Sequence, residues 1–244
     1  EDSPKILVTV ATYNEMENLP ELVAAIHEQL PGADILVVDD NSPDGTGDWC
    51  DEKSNSDPRI RCLHREGKLG LGTAITAAMA YAIEHDYDYM LNMDADFSHH
   101  PRYLPALVAG MAEDGEAVRD CMIGSRYVSG GGTENWPLRR RLMSKGVNLY
   151  ARVLLGISPK DCSGSFRCYR VSVLRKVDLS NIRSRGYSFQ EEILWHLKRA
   201  GARFGETPIV FADRERGQSK IDGKEAVAAL WILFRLGVKN WIGL

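Results

Sequence analysis

Two carboxylates one residue apart close the apolar run that begins at Tyr89: the chain reads Tyr89-Met-Leu-Asn-Met-Asp94-Ala95-Asp96-Phe-Ser98. A strand rises about 3.3 Å per residue and alternates its faces, so a turn at Ala95 lets both acids converge on one hard cation. Asp94 and Asp96 are therefore candidate ligands for Mg²⁺ or Mn²⁺ carrying a diphosphate. Alone, Asp-x-Asp would serve equally well to cap the helix expected from Pro101. The polar clusters around it must decide.

Asp39 and Asp40 directly follow the apolar run Ile35–Val38 and open the turn Asn41-Ser-Pro-Asp-Gly-Thr46. Turn chemistry explains Asn41 to Gly45 but does not require two successive acids after a strand. Open α/β sheets bind ligands at strand carboxyl ends, so Asp39 or Asp40 is expected to contact a nucleoside. Thr12-Tyr13-Asn-Glu15 ends the first apolar run in the same way. Arg65-Glu-Gly-Lys68-Leu-Gly-Leu-Gly72 precedes an Ala-rich helix; its glycines suit either a diphosphate loop or tight helix packing, and no G-K-[ST] signature occurs. Lys68 is the candidate contact there.

The second half offers cations. Arg126 lies in Gly124-Ser-Arg-Tyr127, after a fifth apolar strand. Arg139, Arg140 and Arg141 occupy the first turn of a helix expected to run through Leu155 and to contain Ser144. Positive charge opposes the helix dipole at that end, so the cluster reads equally as a site for an external anion or as solvated surface charge. Asp161-Cys-Ser-Gly-Ser-Phe-Arg167 frames an arginine with small residues, and in Asp213–Ile221 the bend permitted by Gly217 lets Arg214, Arg216 and Lys220 wrap a ligand as a cationic lid. Gln190, Glu191 and Glu192 open an amphipathic helix with Phe189, Ile193 and Leu197 on one stripe. Capping or a place at the sheet edge accounts for those three polar residues equally.

What must position these groups is an alternation of short apolar strands and helices, repeated four times. That pattern gives an α/β fold: a mostly parallel sheet, right-handed crossovers and helices on its faces. Asn18-Leu-Pro-Glu21 reads as a capping box for the first helix, and Ser129-Gly-Gly-Gly132 as a mobile loop. Ala202–Ala212 reads as a late strand with Pro208 at an edge or bulge. The last helix, Glu225 to about Leu236, carries Trp231 with flanking Arg235 and Lys239, which suits a membrane surface, or packing on the sheet or on a partner.

With 244 residues, 44% of them hydrophobic, the chain is large enough for one sizeable core. A net charge of -4 argues against a general nucleic-acid binder. The five cysteines form no C-x-x-C pair, so neither a disulfide framework nor a zinc site is signalled and a reducing, cytoplasmic setting is expected. No stretch is long and apolar enough to span a bilayer, and no secretory segment opens the sequence.

Taken together, Thr12–Glu15, Val38–Gly45, Gly70-Leu-Gly72, Asp94-Ala-Asp96, Gly124–Tyr127, Ser163–Arg167 and Arg214-x-x-Gly-Gln-Ser-Lys220 resemble the dolichyl-phosphate (polyprenyl-phosphate) mannosyltransferases, inverting family 2 glycosyltransferases with the GT-A fold. The likeness runs from about Lys5 to beyond Lys220. It implies a nucleotide-diphospho-sugar transferase fold in a single catalytic domain, with a nucleotide-binding half over about 5–128 and an acceptor-binding half over about 129–244.

The resemblance implies transfer of mannose from GDP-mannose to dolichyl or polyprenyl phosphate, with Mg²⁺ or Mn²⁺, by a peripheral protein at the cytosolic face of a membrane, with room for an anchoring partner protein. Carried over by position, Tyr13, Glu15 and Asp40 hold the guanosine and Asp94 and Asp96 the metal. Ser98 stands where some relatives place Gln, so it or a water completes the metal ligands. Arg126, Arg140 and Ser144 receive the acceptor phosphate, and Arg214 with Lys220 the donor diphosphate. Ala95, Lys68, Asp39 and Arg167 are further candidate substrate contacts. A phosphate monoester carries roughly 1.5 to 2 negative charges and attacks unaided, so a general base at Glu191 or Glu192 is needed only for a hydroxyl acceptor. UDP-glucose or another sugar nucleotide as donor stays open, as does, more remotely, a non-catalytic nucleotide-sugar-binding module.

Overall fold

Successive residues of Ile6–Thr12 feed two different cores, Leu7 one of them and Val8 and Val10 the other. A strand that is apolar on both faces must lie inside a sheet covered on both sides. The computed structural model, which describes residues 3–113, 116–186, 188–212 and 223–242, places it so. Strand β1 (Ile6–Thr12) lies between β2 (Asp34–Asp39) and β4 (Tyr89–Asp94), with β3 (Ile60–His64) beyond β2, all parallel. Helices α1 (Leu19–Gln29), α2 (Thr46–Ser56) and α3 (Leu71–Glu84) make the connections. A 3₁₀ turn, Pro101–Tyr103, then leads into α4 (Leu104–Ala109) and the short pair β5 (Ala112–Glu113) and β6 (Glu116–Ala117).

The second half continues with β7 (Cys121–Ser125), β8 (Gly132–Thr133), α5 (Leu138–Leu155), β9 (Arg167–Arg170) and a single helical turn α6 (Val171–Leu174). It closes with α7 (Phe189–Arg199), β10 (Phe204–Pro208), β11 (Val210–Phe211) and α8 (Gly223–Ile242). The main sheet runs β10-β7-β9-β4-β1-β2-β3, and β9 is antiparallel to both of its neighbours. The mostly parallel sheet expected from sequence is therefore present, with β9 wedged between β4 and β7. Helices α3, α5 and α7 cover one face and α1 and α4 the other.

Four local expectations are corrected. Helix α2 was not anticipated, because few of its side chains are buried and they trace no apolar stripe. The Asn18 side chain does not cap α1; it donates to Glu15 Oε2 at 2.9 Å. The glycines before Thr133 are not a loose loop. Gly132 N donates to Ile209 O, β8 pairs with β11, and a Cβ on Gly131 would lie 2.4 Å from Ser125 O. Helix α8 is longer than expected at both ends. The proposed lid residues Arg214, Arg216 and Lys220 lie outside the described residues.

Candidate active site

The strand order reverses at the β1–β4 boundary, the place where open α/β sheets leave a crevice. Thr12 is in register with Asp39, and Ala11 with Asp94. Three carboxyl ends therefore stop together, carrying Tyr13–Glu15, Asp39–Asp40 and Asp94–Ser98 to one edge.

At the centre, Ser165 donates to Asp94 Oδ1 at 2.8 Å, while the Asp94 N–H donates to His99 Nδ1 at 3.2 Å. Burial lowers the His99 pKa, and an Nδ1 that accepts a hydrogen bond is the neutral form. His99 thus positions the turn, and His100 caps the 3₁₀ turn through Arg102 N. Phe97, with φ of 59°, folds the chain back so that Ser98 N donates to Asp96 Oδ1 at 3.0 Å. Ala95 is packed beneath, and the Ser98 hydroxyl is buried without a hydrogen bond. Asp94, Asp96 and Ser98 share one turn, and two carboxylates with an unsatisfied hydroxyl are oxygen donors of the kind that suit Mg²⁺ or Mn²⁺.

On the acidic side, Asp39 is drawn inward. Its carboxylate accepts from Thr12 Oγ1 at 2.8 Å, Ser42 N at 2.9 Å and Ser42 Oγ at 2.6 Å. It braces the turn, so of the two acids Asp40 is the one left as a candidate contact. Burial raises the Asp40 pKa, against the pull of Arg65 Nη1 at 2.8 Å. Lys68 Nζ sits 4.6 Å from the centre of the Tyr13 ring, a cation–π contact at the mouth of the same corner. Glu15 is held there by Thr46 Oγ1, which accepts from its N–H at 3.2 Å.

The glycines at 70 and 72 are packed against the segment at Ser184 and Arg185. Gly72 N already donates to Arg185 O, and Cβ atoms on Gly70 and Gly72 would lie 2.5 Å from Arg185 O and 2.6 Å from Ser184 O. Close packing explains those glycines, as Gly70, with φ of +101°, also requires.

On the basic side, Arg126 is buried and clamped by Asp161, with Nε–Oδ2 at 2.8 Å and Nη2–Oδ1 at 2.7 Å, and it also donates to Ser163 Oγ. Burial alone would raise Asp161, yet the Arg126 guanidinium and backbone N–H hold its carboxyl below the usual range. Arg126 and Arg140 lie 5.4 and 3.9 Å from the centre of the Trp136 ring. Tyr127 donates to Ser144 Oγ at 2.6 Å. Arg126, Arg140 and Ser144 are thus brought into one neighbourhood. Beyond Arg126 opens a cavity of about 360 Å³ whose lining includes Lys145, Arg152 and Lys160 and no carboxylate. Sequence reading gave these three cations and Asp161 no role; the spacing of Lys145 and Arg152, seven apart and so on one helix face, was the available signal.

Arg167 is corrected from substrate contact to scaffold. It is fully buried, donating to Gln190 O at 2.8 Å and Cys162 O at 2.6 Å, and so fastens α7 to the loop before β9. Glu192 is likewise committed, accepting from Arg183 N and Ser184 N. Burial pushes Glu191 up to about 7. A carboxyl raised on folding is harmless while protonated and costs stability as pH climbs from its unfolded value through its folded one. The loss is on the order of 3 kcal/mol. Glu191→Gln is expected to flatten that slope, so urea unfolding at about pH 5 and about pH 8 should differ less in the variant than in wild type. An unchanged slope would mean that the folded chain solvates or pairs the ionised group.

The model of the family described as Glycosyl transferase family 2 matches residues 7–178, a span that holds the Asp94–Asp96 pair and Arg126. The chain is a family 2 glycosyltransferase. This glycosyltransferase is 42% identical to an undecaprenyl-phosphate mannosyltransferase of Micrococcus luteus over 243 residues, 98% of this chain and 97% of that protein. It is also 42% identical to a polyprenol monophosphomannose synthase of Mycolicibacterium smegmatis, over 97% of this chain and 88% of that one. Glucosyl-3-phosphoglycerate synthase of Mycobacterium tuberculosis, solved with Mn²⁺, UDP and glucosyl-3-phosphoglycerate, shares the GT-A fold. Its TM-score is 0.66 at 17% identity, over 97% of this chain and 80% of that one. S. aureus TarS, solved with UDP-GlcNAc, gives 0.61 at 17% identity, over 97% and 67%.

Proposed function

We propose that this glycosyltransferase moves mannose from GDP-mannose to a polyprenyl phosphate, with inversion and with Mg²⁺ or Mn²⁺ on Asp94 and Asp96. The observation that carries this reading is the cavity beside Arg126, which gathers Lys145, Arg152 and Lys160 and is lined by no acid. A neutral hydroxyl acceptor would call for a base and no such charge; a phosphate nucleophile calls for the charge and no base. The names of the two 42% identical relatives, which are a polyprenyl-phosphate mannosyltransferase and a phosphomannose synthase, point the same way.

In this scheme Tyr13, Glu15 and Asp40 seat the guanosine, with Lys68 beside Tyr13. The ion supplies charge to the departing diphosphate. Arg126, Arg140 and Ser144 turn the acceptor phosphate toward the sugar, whose anomeric carbon gains a bond to phosphate oxygen as the bond to GDP breaks. Arg214 and Lys220 are the proposed further contacts of the donor diphosphate.

Access from a lipid surface is supported by apolar residues left exposed on two packed helices, among them Leu142, Met143, Leu149 and Val153 on α5 and Trp231, Phe234 and Trp241 on α8. Among the described residues no helix is long and apolar enough to cross a membrane. The proposed location is peripheral, at the cytosolic face, and the same helices are where an anchoring partner would dock.

Calorimetric titration with GDP and UDP in Mn²⁺ tests the donor; equal affinity would weaken the GDP-mannose reading, and tighter UDP binding would favour the UDP-sugar alternative. For the acceptor, Lys145 is exposed and has no acidic partner among the described residues. Lys145→Ala is expected to raise the KM for polyprenyl phosphate by about three- to tenfold and to leave GDP affinity unchanged. Weaker GDP binding with an unaltered acceptor KM would assign this cavity to the donor.

A further inference from the structure

At the far edge of the nucleotide half, three side chains of different chemistry converge where the sequence shows no metal-binding spacing. Asp51 stands on α2. Cys62 and His64, two apart on β3, project from one face of the strand toward it. His64 Nε2 lies 2.9 Å from Asp51 Oδ1, and His64 Nδ1 lies 3.9 Å from Cys62 Sγ. One imidazole nitrogen, the thiol and a carboxylate oxygen all fall within 4.8 Å of one another, the one group of three such side chains among the described residues. We propose that Asp51, Cys62 and His64 form a binding site for a thiolate-seeking divalent ion of the Zn²⁺ class, separate from the oxygen site at Asp94 and Asp96.

Donor type sets the class. Sulfur, imidazole nitrogen and one carboxylate suit Zn²⁺ or its Co²⁺ surrogate and reject Mg²⁺, which takes oxygen. Zinc bonds of about 2.0 to 2.3 Å place neighbouring donors roughly 3.2 to 3.8 Å apart, so the group must close by about 1 Å. The imidazole now meets its partners through opposite nitrogens and must turn to offer one nitrogen to the ion. Both His64 and Asp51 are free to do this, with side chains 51% and 57% exposed. A water completes the fourth position.

A surface ion pair explains His64 with Asp51; Cys62 packs beside Cys50 at the edge of the core, where the Cys50 thiol and burial push its own thiol up, so metal binding must release that proton. The thiol is the discriminating ligand. The placement also links the site to the nucleoside corner: His64 is in register with Asp39, and the next residue, Arg65, is the one that approaches Asp40. Cation binding at β3 would therefore be felt at the acids that frame the nucleotide.

Titration of the intact chain with Co²⁺ in excess Mg²⁺ tests the proposal. One equivalent is expected to bind with a thiolate-to-cobalt charge-transfer band, bleached by one equivalent of Zn²⁺. Cys62→Ser should abolish the band, and His64→Gln should weaken Co²⁺ binding by about tenfold or more. Asp96→Ala should leave both unchanged. Absence of the band in wild type, or a band of equal strength in Cys62→Ser, overturns the assignment. Because all three residues lie at the surface or half-buried, melting curves of the metal-free variants should match wild type, and a variant that melts early is replaced by Cys62→Ala for the same reading.

Discussion

Asp96→Ala is expected to lower kcat/KM for sugar transfer by a factor of about a thousand while leaving the melting temperature close to wild type. The asymmetry follows from the site. Asp96 Oδ1 takes the N–H of Ser98 within its own turn, whereas Asp94 ties separate segments together, its Oδ1 accepting from Ser165 of the loop before β9 and its N–H donating to the buried His99. Asp94→Ala should therefore cost stability as well as rate, and Asp96→Ala mainly rate. Nucleotide titration with and without Mn²⁺ separates a metal role from a merely structural one: wild type should bind GDP more tightly with the ion, and Asp96→Ala equally with or without it. A variant that keeps near-normal turnover, or that still gains GDP affinity from Mn²⁺, would remove Asp96 from the ion. Ser98→Ala should have a much smaller effect, since water can replace a neutral hydroxyl as ligand.

The strand ends were legible before any coordinates because short apolar runs stopped at polar residues, and a parallel sheet puts those stops on one edge. Asp94, Asp96, Asp40 and Tyr13 follow from that rule alone. Asp39 does not, because its type and position match those of Asp40 while its carboxylate turns inward to Thr12 and Ser42. Arg167 was misread for a similar reason. Small residues around an arginine suggest room for a ligand, yet in the fold they let a backbone carbonyl, Cys162 O, approach the guanidinium. Helix α2 has no apolar period to read, and the antiparallel pairing of β9 with β4 and β7, both distant in sequence, is set by tertiary packing that no local pattern encodes. The cavity cations depend on the meeting of α5 with the loop at Lys160, again a product of tertiary packing.

Asp161 is the residue whose loss should do the most damage to stability and to acceptor use together. Asp161→Asn leaves the Arg126 guanidinium in a dry site without its counter-charge, and a loss of about 3 to 5 kcal/mol is expected by denaturant unfolding. It also frees the guanidinium from the two-point grip that fixes its direction, so acceptor kinetics should fall even where the protein is still folded. Stability and function are separable by a second variant. Arg126→Leu combined with Asp161→Leu removes both charges and is expected to recover most of the lost stability, since a buried ion pair is commonly replaceable by apolar groups of similar volume. Transfer to polyprenyl phosphate should remain low in that double variant while GDP binding persists. Recovered transfer would show that Arg126 only supports the fold, whereas recovered stability without transfer leaves the guanidinium acting on the acceptor, which is the arrangement that a phosphate nucleophile beside a diphosphate leaving group requires.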